Sequence, residues 1–177
     1  MRKITLYIAT SLDGFIARKD GSVDWLDSVG HVEGEDYGYS KFYKSIDTVL
    51  MGNGTYRWIV DAGVPFPYPD KKNYVFSKQQ TGSNEHVTFI SEDTGLFTKK
   101  LKEDAGHGIW LVGGAQVNST LLDAKLIDEM IITTIPIALG EGIPLFGYRP
   151  NDEFYWKLKI VVSFDNGISQ STYTLTN

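Results

Sequence analysis

The sequence predicts an α/β fold in three layers: a mixed, mostly parallel sheet flanked by helices, with an antiparallel hairpin at the carboxyl end. Three observations lead there. Short apolar runs recur at residues 47–51, 72–77, 109–112 and 128–135, the pattern of strands buried on both faces of a parallel sheet. Two of these runs end in glycines and pass straight into helix-compatible stretches, at 52–56 and 113–123, as βα units do. The last two alternating strands, 155–164 and 169–175, flank Asp165-Asn166-Gly167, a composition expected for a type I′ turn.

In chain order, residues 3–10 read as the first strand, and Ser11 to Gly14 as a polar turn before a brief apolar piece, 15–17. Asp-Gly favours a tight turn with positive φ. Residues 21–26 form a loop bearing Trp25, either a core plug or a wall of a ligand site. A helix starts near Asp36, with Tyr39, Phe42, Tyr43 and Ile46 at helical spacing. Three prolines make 64–70 an irregular loop. Residues 86–90 read as a short strand, and 94–105 as an amphipathic helix with Leu96, Phe97 and Leu101 inward. Residues 140–146 form a constrained loop.

Composition narrows the function. A chain of 177 residues is expected to form one domain, 1–177, with a good-sized core. A net charge of −5 without a basic run argues against binding nucleic-acid phosphates. The absence of cysteine excludes disulfides and thiolate catalysis and is compatible with a cytoplasmic location. Met1-Arg2-Lys3 leads into a strand without a signal-peptide apolar region, and no apolar run is of membrane-spanning length. His31, His86 and His107 have no ligand spacing, so no metal site is expected.

The stretch Ile109 to Val117 is the centre of the reading. Adjacent glycines at a strand's carboxyl end let a ligand approach bare main chain, and the next helix aims its free N–H groups at the same spot, which suits a phosphate. A plain strand-to-helix turn accounts for the same residues. Gly52-Asn53-Gly54-Thr55 repeats the arrangement, with Thr55 as a helix cap or phosphate donor. Ser77 and Lys78, at a third strand end, can grip a phosphate or form a solvated end.

Four motifs in order carry a family resemblance: Ser11-Leu12-Asp13-Gly14-Phe15-Ile16-Ala17, Gly52-Asn53-Gly54-Thr55-Tyr56, Val112-Gly113-Gly114, and Pro136-Ile137-Ala138-Leu139-Gly140-Glu141-Gly142-Ile143-Pro144-Leu145-Phe146. Together they resemble the dihydrofolate reductase-like superfamily, and within it the reductase domain of the riboflavin-pathway deaminase-reductase in a small stand-alone form. The resemblance implies a sheet of about eight strands and NADPH, with NADH as an alternative, across their carboxyl ends. It implies a cis peptide bond between Gly113 and Gly114. By the same resemblance the pyrophosphate falls to Val112, Gly113, Gly114, Ala115, Gln116 and Val117, and the other phosphate side to Gly52, Asn53, Gly54 and Thr55. Ser77 and Lys78 would lie near the adenosine 2′-phosphate, and Ala9 and Ile16 near the nicotinamide. Asn53 stands where folate reductases carry a basic residue, Val112 where riboflavin reductases carry Glu, and Ile59-Val60-Asp61 where the latter carry Asp-Asn-Pro.

The resemblance implies hydride transfer to a small heterocycle, as in 5-amino-6-(5-phosphoribosylamino)uracil reduction in riboflavin biosynthesis, with dihydrofolate as the alternative substrate. A nucleotide-binding module without turnover is the rival of another class. Asp36 lies sixteen residues before Gly52, the spacing of the folate reductases' substrate carboxylate; a buried acid there would have a raised pKa and serve as proton donor. As the N-cap of its helix it would do neither, and this is the reading preferred. Asp13 is a second proton donor or a turn former. Phe15 and Trp25 would wall the substrate side. The apolar Phe154-Tyr155-Trp156 strand offers an interface for a homodimer, as stand-alone members of the family often are.

Overall fold

The computed structural model describes residues 1–30, 32–147 and 153–176; His31, expected in a loop, lies outside them. In chain order the elements are β1 (Ile4–Thr10), β2 (Phe15–Ala17), a 3-10 turn (Asp24–Asp27), α1 (Tyr39–Lys44), β3 (Ile46–Gly52), α2 (Asn53–Asp61), β4 (Lys72–Phe76), β5 (Gly82–Ser83), β6 (Thr88–Ile90), α3 (Thr94–Glu103), β7 (Gly108–Gly113), α4 (Ala115–Asp123), β8 (Glu129–Thr134), β9 (Ile143–Pro144), β10 (Trp156–Ser163) and β11 (Ser169–Leu175).

Nine strands form one sheet in the order β10-β11-β8-β1-β7-β3-β4-β6-β5, and β2 pairs with β9 apart from it. From β8 to β6 the neighbours are parallel; β11 joins β8, and β10 joins β11, antiparallel. The ninth strand, β5, is only two residues long at the far edge. Elements of two or three residues, such as β2, β5 and β9, are too short to show a hydrophobic period.

Alternation along the strands divides the core between two faces. Ile4, Leu6, Leu50, Ile109 and Leu111 pack with Leu101 of α3 and Val117, Leu121 and Leu122 of α4. Val49, Met51, Val75 and Trp110 point the other way, onto Ile59 of α2 and Phe42 and Tyr43 of α1. Helices thus cover both faces, and the three-layer expectation holds.

Some local expectations change. Leu96 is 61% exposed; Phe97 and Leu101 face the core as expected, joined there by the buried Thr98 and Lys102. Lys102 is buried because its ammonium meets Asp128 at 2.6 Å and the Leu126 carbonyl at 3.2 Å. Ile46 opens β3 rather than extending α1. The final hairpin is present, but neither Asp165 nor Asn166 has positive φ; only Gly167 does, at 83°. Phe164 N–H donates to the Ile168 carbonyl, and Gly167 N–H to that of Phe164. This is a three-residue loop closed by a left-handed glycine, not a type I′ turn.

Candidate active site

From β3 the chain moves towards β4 and away from β7; from β7 it moves past β1 to β8, in the opposite direction. Adjacent parallel strands whose connections part company open a crevice at their carboxyl ends, where α/β folds bind ligands. In the ladder Met51 lies opposite Gly113, so the two glycine turns that the sequence singled out, sixty residues apart, sit side by side.

The turns pack on each other's main chain. Thr55 Oγ1 donates to the Gly113 carbonyl at 3.3 Å. A Cβ on Gly114 would lie 3.2 Å from that hydroxyl, one on Gly113 3.0 Å from Asn118 Oδ1, and one on Gly52 3.2 Å from Val117 Cγ2. Gly113 and Gly114 also hold φ of 111° and 93°, where side chains are strained. The expected cis bond between them is absent: no peptide bond among the described residues is cis.

Two helices start here, and neither is capped by a side chain. Gly52 precedes α2 and Gly114 precedes α4, with no side-chain hydrogen bond at either start. By contrast α3 carries Asp93, whose carboxylate accepts from Leu96 N–H at 2.8 Å. The amides of 53–55 and 115–117 are therefore available to an acceptor in the crevice, at the positive end of each helix.

Buried side-chain atoms without a partner among the described residues occur in several places, Trp25 Nε1, Asn73 Oδ1 and Thr98 Oγ1 among them. At the amino end the buried Arg2 guanidinium is paired with Asp47 and donates to Thr48 Oγ1 (2.7 Å) and the His107 carbonyl (2.8 Å), and Asp128 accepts from Ile4 N–H as well as Lys102. At the carboxyl end two buried side-chain oxygens, Asn53 Oδ1 and Asn118 Oδ1, have no partner among the described residues. Buried acceptors left open cost about 1–3 kcal/mol each, a pattern that fits a site awaiting donors. Asn118 is fully buried, and its Nδ2 donates to the Leu145 carbonyl at 2.8 Å. With Ser119 Oγ, which accepts from Gly147 N–H at 2.8 Å, it ties the loop after β9 to α4. The cradle, the free amides and the open oxygens fit a dinucleotide.

Beyond β7 the crevice meets the ends of β1 and β2. Ala9 is paired in register with Thr133 and packs with Ile135 and Trp25; Ile16 and Phe15 lie in β2. Phe15 is turned towards the loop of β9, with its Cβ 3.2 Å from where a Gly142 side chain would begin. Trp25 is 1% exposed, in a satellite core with Ile135 and Ile168; it plugs that core instead of presenting a wall to a ligand.

Neither carboxylate proposed from the sequence is a protonated acid. Asp13 accepts from the Ser11 hydroxyl (2.6 Å) and from the amides of Leu139 (3.1 Å) and Gly140 (2.7 Å). These bonds, the Ser11 hydroxyl foremost, lower its pKa to about 2. It pins the turn after β1 to the 137–142 loop. Asp36 is exposed and accepts from Gly38 N–H (2.9 Å) and Ser40 N–H (3.0 Å). The Ser40 hydroxyl and these amides hold its carboxyl below the usual range, the reverse of a desolvated acid. It serves as a local acceptor for amides at the start of α1.

At the carboxyl end of β4 Ser77 is 8% exposed, and its hydroxyl accepts from the amides of Gln79 and Gln80 at 3.3 and 3.0 Å. Lys78 is exposed beside it. A neutral network that the sequence reading missed spans β1, β8 and β11, on the far side of β1 from β7. Gln170 Nε2 donates to Thr133 Oγ1 (2.9 Å) and the Tyr37 carbonyl (3.0 Å), and Tyr7 Oη donates to the same carbonyl at 3.0 Å. Tyr37 has positive φ, 54°. These residues are distant in sequence and have no local signature; only the register Ala9–Thr133–Gln170 aligns them. Asn118 had a signal, a polar residue on the apolar stripe of Val117, Leu121 and Leu122.

The model of the RibD C-terminal domain matches residues 2–169. The chain belongs to that family. The uncharacterized protein YwjB of Bacillus subtilis is 49% identical over 153 residues, 85% of this chain and 86% of its own. A crystal structure of a putative riboflavin biosynthesis protein from Shewanella sp. PV-4 is similar throughout, with a TM-score of 0.89 and 30% identity over the whole of both chains. Dihydrofolate reductase of Enterococcus faecalis, solved with NADP(H), shares the fold at a TM-score of 0.70 and 17% identity, over 99% of this chain and 97% of its own. The fold is thus the one that the four sequence motifs imply, shared with a dihydrofolate reductase.

Proposed function

We propose that this protein is an NADPH-dependent reductase of a small heterocycle of the ribosylaminopyrimidine type, the reaction class of riboflavin biosynthesis. The observation that carries the reading is the pair of glycine turns at the switch point, each opening an uncapped helix. Amides of Asn53, Gly54 and Thr55, and of Ala115, Gln116 and Val117, would hold the phosphates; Gly113 and Gly114 would let the dinucleotide lie on bare main chain. Ala9 and Ile16 would border the nicotinamide, and Val112 the strand floor beneath it. When bound, a reduced nicotinamide supplies the hydride. The protein orients the reacting carbon and keeps water from the cleft. Asp13 and Asp36 are ionised and engaged by main-chain amides, so the proton that completes the reduction comes from a water. The neutral Gln170–Thr133–Tyr7 group, with Phe15 at the β2 side, is the substrate half.

The test combines binding and turnover. NADPH is titrated into the protein, then dihydrofolate and the riboflavin-pathway ribosylaminopyrimidine are offered while absorbance at the dihydronicotinamide band is followed. Binding with oxidation on the ribosylaminopyrimidine is expected; oxidation on dihydrofolate alone would move the assignment to the folate branch. Binding without oxidation on either would favour a nucleotide-binding module, the reading that Val112 in place of the riboflavin reductases' Glu supports. Gly114→Val is expected to abolish cofactor binding with the fold retained; unchanged affinity would refute the crevice.

We further infer a cytoplasmic homodimer. The cysteine-free composition supports the location. The dimer would form across β10, an edge strand on which Leu158, Ile160, Val161 and Val162 are 41–57% exposed, the kind of edge that seeks pairing.

A further inference from the structure

The chain beyond the carboxyl ends of β1 and β8 carries a charge pattern that none of the four motifs assigns. Residues 11–38 follow β1, residues 137–142 follow β8, and the two segments are stitched to each other and to the last hairpin. Asp13 takes the amides of Leu139 and Gly140, and Lys19 meets Glu141 at 2.5 Å. Asn166 Nδ2 donates to the Gly30 carbonyl (3.0 Å) and to Tyr37 Oη (2.9 Å). Together the segments hold eight carboxylates against two cations, Arg18 and Lys19. With histidine neutral that is a balance of −6, against −5 for the whole chain, so the rest of the protein is nearly neutral. Both cations are already engaged, Lys19 by Glu141 and Arg18 by both oxygens of Asp24, at 2.6 and 3.2 Å.

The polar groups behind this rim are uncharged. Gln170 stands opposite Thr133, and Thr133 opposite Ala9, one residue short of the ends of β1 and β8. The Tyr37 carbonyl can only accept, so the nitrogen of the Gln170 amide is the end turned to it. Nothing among the described residues donates to Gln170 Oε1, which is left to solvent or a ligand. Burial, foremost, holds the Tyr7 hydroxyl above its usual range, so Tyr7, Thr133 and Gln170 all stay neutral.

We propose that the substrate reaches this site without a phosphate ester, as an uncharged ribosylaminopyrimidine whose ring N–H is read by Gln170 Oε1. This rests on the reductase reading above and adds the charge state of the substrate to it. A phosphate monoester carries nearly two negative charges at neutral pH. A rim of one sign opposes such an anion over a distance. Arg18 or Lys19 could take the phosphate only by giving up the carboxylate it now holds. An uncharged heterocycle meets neither obstacle, and its ring N–H groups are the donors that a carboxamide oxygen accepts. The ester takes no part in hydride transfer, so its absence alters binding and not the chemical step.

The experiment compares kcat/KM for the ribosylaminopyrimidine with and without its phosphate, at saturating NADPH, in the wild type, Glu141→Lys and Gln170→Met. In the wild type the phosphate-free form should be preferred by about tenfold or more at low salt, and the gap should narrow as salt screens the rim. Glu141→Lys releases Lys19 and reverses one exposed charge. It should raise kcat/KM for the phosphorylated form about threefold to tenfold and leave the phosphate-free form within about twofold. Gln170→Met should raise KM for the phosphate-free form about fivefold to tenfold, the worth of one hydrogen bond, with NADPH affinity within about twofold. Equal rates on the two forms, or a preference for the phosphorylated one, overturns the substrate assignment and leaves the reductase standing; so does a Glu141→Lys that fails to improve the phosphorylated form. An unchanged KM in Gln170→Met overturns the part given to Gln170. A wild type that binds NADPH and oxidises it on neither form overturns the reductase reading as well.

Discussion

Placing a carboxylate at Gly54 should make the protein more stable and a worse dinucleotide binder at once. Gly54 is the second residue of α2, its φ is not positive, and a side chain started there meets nothing within 4 Å. Gly54→Glu removes a poor helix former, worth about 0.5–1 kcal/mol. It also sets a negative charge at the positive end of the helix, worth a further ~0.3–1 kcal/mol. With a urea slope of about 2–3 kcal/mol/M, the unfolding midpoint should rise by roughly 0.5 M. The same carboxylate would stand about 5 Å from a bound phosphate, a repulsion of ~1–3 kcal/mol at an effective dielectric of about 20–80. NADPH and NADH should therefore both weaken, by about fivefold to a hundredfold, and the loss should shrink in high salt. Urea unfolding and calorimetric titration at two salt concentrations read both effects. A raised midpoint with unchanged affinity would mean that no phosphate sits at this helix start; a lowered midpoint would contradict the helix geometry.

Three further outcomes follow from the geometry. Asp13 ionises at about 2 in the fold against roughly 4 in an unfolded chain, so it stabilises the fold above pH 4 and that contribution is lost as pH falls from 4 through 2; Asp13→Asn should flatten the stability-versus-pH curve over that window, and a carboxyl NMR titration with a midpoint at 4 would refute the tie. Asp36→Ala should lower the melting temperature slightly by removing the acceptor for the Gly38 and Ser40 amides while leaving kcat and its pH profile unchanged; a collapse of kcat restored by Glu would make it an acid after all. Ile160→Lys combined with Val162→Lys should yield a monomer in sedimentation velocity, and a dimer undisturbed by that pair would place the interface elsewhere.

The parts of this site that were legible in the sequence are those whose physics is local. A glycine after an apolar run implies close main-chain approach whatever surrounds it, so 52–55 and 113–117 stand out before any fold is known. Asp13-Gly14 as a turn and Asp36 as a local acceptor for amides at the start of α1 are likewise decided within a few residues. What brings the two glycine turns together is the insertion of β7 between β1 and β3, and nothing at either turn records it. The same holds for Asp13 reaching the amides of 139 and 140, and for Gln170 meeting Tyr37. Amphipathic spacing ranks residues by polarity, so it turns Leu96 inward although it is exposed, and gives no hint that Lys102 is buried. Lys102 could be buried only because Asp128, distant in sequence, receives its charge.

The most direct measurement is a titration of NADPH into isotope-labelled protein, followed through the backbone amide resonances. The account predicts that the largest shifts fall on residues 53–55 and 115–117 and saturate together with a single dissociation constant. Saturable binding that leaves those six amides unmoved, or no binding at all, would contradict it.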